Sequence, residues 1–177
     1  KNVRGLWRKT SIESYQTDNP VWETVLDIDE LAKIEDQNWV YKGVDCLAPE
    51  FNRCLMRLSY GGKDAVVVRE FDLANKVFIE DGFNTPESKQ YLGWLNENQI
   101  MVATDFGEGS MNESGYPREV KVWSRGEPLS EAKTIFEGTY EKIFSFPFSS
   151  IRPDGSYFGV LEGPTFFTKV LYLMKDD

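Results

Sequence analysis

Apolar and aromatic positions fall in short runs, about 4–8 residues each, broken by turn residues. The runs recur in a fixed order of four. The first of each set is aromatic-rich: Asn38–Val44, Gln90–Trp94 and Lys142–Phe148. A turn follows each, the clearest being Pro153-Asp154-Gly155, where proline presets φ and glycine relieves the exit. The second run is short and largely apolar: Cys54–Ser59, Gln99–Thr104 and Tyr157–Leu161. The third alternates, as in Arg118–Arg125, where Val120 and Val122 oppose Lys121 and Trp123; its other copies are Asp64–Asp72 and Phe167–Met174. The fourth is Lys76–Glu80 and Lys133–Phe136.

A four-strand unit repeating at roughly 50 residues is the signature of a propeller. The pattern therefore predicts an all-β fold, a partial β-propeller of about three four-stranded antiparallel blades. A β-sandwich also has short strands and frequent turns, but it would not need the same order of four each time. The expected units are a half blade over 1–37, blades over 38–82 and 89–138, and an incomplete blade over 140–177. In the half blade, Arg4–Ser14 and Trp22–Ile28 read as strands and Asp29–Asp36 as one or two helical turns. A chain cut inside a blade exposes an apolar face and a strand edge, so the isolated fragment is expected to self-associate.

Composition narrows the function. The net charge is −9, and no basic cluster answers the phosphates of nucleic acid or an anionic membrane surface. No apolar run approaches the ~20 residues of a membrane span. No signal peptide is visible, and the chain opens on Lys1 rather than Met, so the true N-terminus is expected to have been removed and the compartment, cytoplasmic or periplasmic, is unread. Two cysteines without histidine do not make an ordinary zinc site, and no metal or cofactor is expected. Cys46 and Cys54 would be bonded if their strands pair across Ala48–Asn52; with no other mark of an oxidising compartment, two buried thiols is the preferred reading.

The chain has no histidine and no Gly-x-Ser-x-Gly string, which excludes a self-contained serine hydrolase. Catalytic residues are expected to be none. Three carboxylates, Asp64, Asp105 and Glu162, fall at the turns between second and third strands. Such turns share one face of a propeller, so a carboxylate-based glycosidase is a weak alternative, set against the general richness of turns in Asp and Glu. The loop Asp105–Pro117 stands out by length. Its Gly, Ser and Asn residues predict mobility, and Phe106, Met111 and Tyr116 offer apolar contacts.

Several strings resemble the early propeller region of prolyl oligopeptidase-type serine peptidases, especially bacterial ones. They are Arg4-Gly5-Leu6-Trp7-Arg8-Lys9-Thr10, Trp22-Glu23-Thr24-Val25-Leu26-Asp27, Asn38-Trp39-Val40-Tyr41-Lys42-Gly43, Ala65-Val66-Val67-Val68-Arg69-Glu70-Phe71-Asp72 and Ser114-Gly115-Tyr116-Pro117-Arg118. The likeness runs over nearly the whole chain. It implies a seven-bladed propeller joined to an α/β-hydrolase domain that carries Ser, Asp and His and lies outside this segment. It implies a propeller that covers the active site, excludes folded proteins and admits short peptides, typically cleaved after proline.

The resemblance also implies that loops between second and third strands, and between blades, face the hydrolase domain. The substrate-side candidates are then Asp64, Asp105, Phe106, Tyr116, Glu162 and Phe166. Asp64 falls where the family places a carboxylate near the cleft, and Ser88 or Lys89 where animal members place an aromatic. Expected partners are the chain's own hydrolase domain and short peptide substrates. The alternative of a different class is a non-catalytic propeller acting as a protein-interaction platform.

Overall fold

A computed structural model describes residues 2–175; the last two positions of the predicted final blade, Asp176 and Asp177, lie outside the described residues. Four antiparallel β units follow one another along the chain. β1 (Leu6–Lys9) and β2 (Glu23–Asp27) form a ribbon. Sheet I holds β3 (Trp39–Cys46), β4 (Arg53–Tyr60), β5 (Val66–Asp72), β6 (Val77–Phe78) and β7 (Thr85–Ser88). Sheet II holds β8 (Tyr91–Asn96), β9 (Gln99–Ala103), β10 (Glu119–Ser124) and β11 (Lys133–Glu137). Sheet III holds β12 (Phe144–Arg152), β13 (Gly155–Gly163) and β14 (Val170–Leu173). This is the all-β, partial-propeller architecture that the repeat predicts.

The first strands of the three sheets lie against one another. The Trp94 indole N–H on β8 donates to the Asp45 carbonyl on β3 at 3.0 Å, and the Ser149 hydroxyl on β12 donates to the Trp94 carbonyl. β3, β8 and β12 are thus the inner strands, converging on the axis around which propeller blades are arranged.

Cores sit between the units. Ile28, Leu31, Trp39, Met56 and Leu58 pack the ribbon side of sheet I. Leu55, Val68, Phe83, Trp94, Ile100 and Trp123 fill the seam between sheets I and II. There Phe83 meets Trp94 at 5.9 Å and Trp123 at 5.1 Å, both edge-on, the arrangement favoured by the ring quadrupoles. Met101, Ala103, Val120 and Val160 fill the seam between sheets II and III.

Four local expectations change. The strand expected over Arg4–Ser14 stops at Lys9, and a helical turn, α1 (Ile12–Tyr15), follows. Ser11 stands at its N-cap, its hydroxyl accepting the Ser14 N–H, which satisfies a donor a strand would have left free. The helix expected from Asp29 starts one residue earlier, as α2 (Ile28–Ile34), because the Asp27 carboxylate caps it by accepting from Asp29 and Glu30 N–H.

The fourth position of sheet I is divided. β6 ends at Phe78, and the Asn84 side-chain amide gathers the carbonyls of Ile79, Glu80 and Gly82 into a tight turn. β7 then continues the pairing on β5, where the Thr85 hydroxyl accepts the Val68 N–H. So a strand occupies the connection between the blades expected over 38–82 and 89–138.

Cys46 and Cys54 form a disulfide rather than two thiols. β3 and β4 pair across the intervening turn with these two residues directly opposite, which brings the sulfurs together.

Candidate functional site

The rim that carries the loops between second and third strands places the candidate residues differently. Asp64 is exposed on the turn between β4 and β5. Its charge reaches the Tyr91 hydroxyl at the start of β8, which burial first, then the Tyr116 hydroxyl and Asp64, push above the usual phenol range. Tyr116 lies under the Lys89 ammonium, 4.4 Å from the ring centre, and Lys89 also donates to the Ser114 carbonyl at 3.1 Å. Asp64, Lys89, Tyr91 and Tyr116 therefore share one corner of the rim.

Asp105 is exposed but turned into its own loop. Its carboxylate accepts the Gly107 N–H at 2.9 Å and the Ser110 hydroxyl at 3.3 Å, an Asx turn that shapes the loop. Phe106 is half-buried against the seam between sheets I and II, with the Lys121 ammonium 4.1 Å over its ring. Its aromatic face is thus partly covered.

Glu162 and Phe166 belong to sheet III and the loop after it. Glu162 is buried on β13 and accepts from the Tyr172 hydroxyl at 3.2 Å. A Cβ added at Gly138 would stand 3.1 Å from its carboxylate, so glycine there leaves room for this acid. Phe166 is 63% exposed. Among the described residues no group of three carboxylates or cysteines converges as a metal site.

The long loop is tied down rather than loose. Asn112 is buried and donates from its amide to the carbonyls of Lys142 at 2.9 Å and Ile143 at 2.7 Å. Its side-chain oxygen accepts the N–H groups of Ser114 and Tyr116, both at 3.0 Å. Arg118 closes the loop base: its guanidinium donates to the Gly109 and Gly138 carbonyls, pairs with Glu137 at 2.9 Å and covers the Tyr140 ring. The glycines and serines suggested mobility because composition does not show where an Asn amide lands.

Arg57 was not anticipated from the sequence. It stands opposite Gly43 across the β3–β4 pair, at a register shift between Tyr41 and Gly43. Gly43 has φ +125°, and a Cβ there would lie 2.7 Å from an Arg57 guanidinium nitrogen. Glycine suits this φ and leaves the guanidinium room over β3. In the sequence, an arginine within an apolar strand reads as a surface-facing residue; the signal that could have found it is Gly43 inside β3, since a glycine within a strand marks a bulge or a close approach.

The arrangement defines a stretch of propeller whose inner strands and one loop rim are tied by side-chain hydrogen bonds. The chain belongs to the family described as prolyl oligopeptidase, N-terminal beta-propeller domain, which matches residues 1–173. It is 50% identical over 142 residues to the uncharacterized peptidase y4nA of Sinorhizobium fredii (strain NBRC 101917 / NGR234), a match covering 80% of this chain and 20% of that protein. It is 34% identical over 151 residues to the uncharacterized peptidase RP174 of Rickettsia prowazekii (strain Madrid E), covering 81% of this chain and 21% of that one. The chain thus spans about a fifth of the length of these relatives. Its fold superposes on a post-proline cleaving enzyme from Rickettsia typhi with a TM-score of 0.81 and 28% identity, over 99% of this chain and 28% of that one. Oligopeptidase B from Leishmania major shares the fold at a TM-score of 0.62 and 12% identity, over 96% of this chain and 24% of that one.

Proposed function

We propose that this chain is the N-terminal propeller segment of a prolyl oligopeptidase-like serine endopeptidase, and that it gates access to a hydrolase domain rather than breaking bonds. The family match over residues 1–173 carries the reading. The chemistry agrees with it: this segment has no histidine to activate a serine, so the triad belongs elsewhere in the protein. Short peptides are the substrates in this reading, because a ring of blades admits an extended chain and not a folded domain. Asp64, Tyr116, Asp105, Phe106, Glu162 and Phe166 are the proposed residues on the hydrolase side, with Asp64 and Tyr116 at the corner where the rim groups meet.

The test compares one cleavable sequence in two settings. The full-length gene product should hydrolyse it as a short peptide and leave it intact inside a stably folded protein. Equal cleavage in both settings would sink the gating role. No cleavage in either would sink the peptidase reading. The isolated 177-residue segment should turn over neither.

The partners follow from the same reading. Sheet III leaves Phe167, Leu171, Tyr172 and Leu173 exposed. A next blade would cover them in a longer chain, and the isolated segment should self-associate through them. Sedimentation showing a monomer at high concentration would refute that part.

A further inference from the structure

The inner edge between sheets I and II carries a group of polar side chains that the protein does not satisfy. The Arg57 side chain has no ion pair and no hydrogen bond among the described residues, although the other arginines of the two sheets are engaged: Arg53 and Arg125 with Glu70, Arg69 with Glu35, Arg118 with Glu137. Its guanidinium lies over the Gly43 backbone, on the face of β4 that packs against sheet II. On the same face, two residues further along β4, the Ser59 hydroxyl is buried without a partner, and the side-chain oxygen of buried Gln90, just before β8, is also unpartnered. The Asp45 carboxylate on β3 and the Tyr91 hydroxyl on β8 have no hydrogen-bond partner among the described residues either. Asp45 lines an open cleft with Trp94, Ser149 and Arg152, so the edge is reachable from solvent.

Polar groups left unpaired in a half-buried place are met by water or by a ligand. Arg57 stands among them without an ion pair of its own, and it presents its donors in a rigid fork suited to a carboxylate. We propose that Arg57, held over Gly43 beside Tyr91, is a carboxylate-binding site on the inner edge of the propeller, taking a carboxylate of a peptide. That the carboxylate comes from a peptide rests on the peptidase reading; the site itself rests on the geometry.

The electrostatics agree. Asp45 is pushed above the usual carboxylate range by burial, and the Arg57 charge only partly offsets this. Tyr41 and Tyr91 are both raised, first by burial, with Arg57 opposing in each case. One positive charge thus acts on both inner strands. Asp45 competes with an incoming carboxylate for it, without forming an ion pair.

The test measures binding of short peptides to the full-length gene product by fluorescence anisotropy. Their backbone amides are reduced so that they resist cleavage. One arm compares a glutamate side chain with glutamine, and the other compares a free C-terminus with its amide. In one arm the carboxylate form should bind roughly tenfold tighter, the scale of a half-exposed charge-assisted hydrogen bond. The arm that responds identifies the source of the carboxylate. Arg57→Gln should bring the ratio near one, and Asp45→Asn should raise it. A ratio near one in both arms of the unmodified protein overturns the site, as does a ratio unchanged in Arg57→Gln. Should Arg57→Gln fail to fold, an unchanged ratio in Asp45→Asn overturns it instead. Hydrolysis of an unmodified neutral peptide is followed separately. Its absence would remove the peptidase reading and leave the binding ratio to decide on Arg57.

Discussion

The two seams between neighbouring sheets are built from different materials. The seam between sheets I and II joins large aromatic rings to a buried charge pair. Glu70 on β5 is fully buried, and Arg125, just after β10, grips it with two parallel hydrogen bonds of 2.8 and 2.9 Å. The Phe83 N–H adds a third at 2.9 Å, and the Arg125 guanidinium lies 4.5 Å over the Phe83 ring. The seam between sheets II and III has smaller buried side chains and, among the described residues, no such pair. There the ties are neutral, chiefly the Asn112 amide reaching the carbonyls of Lys142 and Ile143. The Ser145 hydroxyl in that seam is buried without a partner. One seam is thus specified by charge geometry and the other by backbone hydrogen bonding, which predicts responses of different size to the loss of a polar side chain.

The largest effect should come from Arg125→Ala. It strands the Glu70 carboxylate in a dry seam with one N–H and a distant Arg53, 3.8 Å away. Removing one member of a buried pair costs about 3–5 kcal/mol, because the survivor keeps its desolvation penalty. Replacing both residues by leucine should cost less than either single change if the penalty, rather than the attraction, dominates. Thermal unfolding of the full-length protein measures both. A loss under about 1 kcal/mol for Arg125→Ala would erase the contrast between the seams.

The neutral seam should respond less. Asn112→Ala removes the donor to two carbonyls and frees the loop 105–117. The expected cost is about 1–2 kcal/mol, within the range for stranded backbone groups. Amide hydrogen exchange should rise in that loop and in the segment around Ile143, and stay unchanged across the seam of sheets I and II. Faster exchange at both seams would mean that they open together.

The contrast also marks what the sequence could and could not reveal. Strand order and fold were legible because buried strands read as apolar runs and the inter-sheet strands alternate. The Arg4–Lys9 and Trp22–Asp27 strings pointed to the family. Glu70 was not legible as a buried acid. It sits in an alternating strand like any solvent-facing residue, and its partner is 55 positions away. Likewise the course of Arg57 depends on a bulge and a positive φ at Gly43; a glycine inside a strand hints at the bulge but does not name the side chain that passes over it. The Cys46–Cys54 bond depends on register, which a turn of unknown geometry did not fix. Of the rim residues, Asp105 is a candidate by its place at a turn between second and third strands, and position alone does not show that its carboxylate accepts from Gly107 and Ser110 of its own loop.

Ser145→Ala sharpens the comparison from the other side. The hydroxyl is buried beside Gly138 with no partner, so deleting it removes an unmet polar group and leaves the backbone N–H bonded to the Pro117 carbonyl. The change should be neutral or stabilise by up to about 1 kcal/mol. A clear loss would show that the hydroxyl has a partner in solution, such as a bridging water, and that the second seam is more polar than its protein atoms suggest.

The smallest effect is one of pH and falls at the inner edge of the first seam. Burial holds the Asp45 carboxyl above its ordinary range, against the pull of Arg57. A raised carboxyl binds its proton more tightly in the folded state than in the unfolded one. Its favourable contribution is therefore complete below the ordinary carboxylate range and is lost as pH rises through the raised value. Above that value the ionised Asp45 disfavours folding. Asp45→Asn should then be more stable than the unmodified protein at neutral pH, with the difference fading as pH falls to the carboxylate range. Unfolding midpoints across pH 3 to 8 would show it. A difference that grows toward acid would mean that Arg57 outweighs burial, making the first seam's inner edge a second charge pair like Glu70 and Arg125.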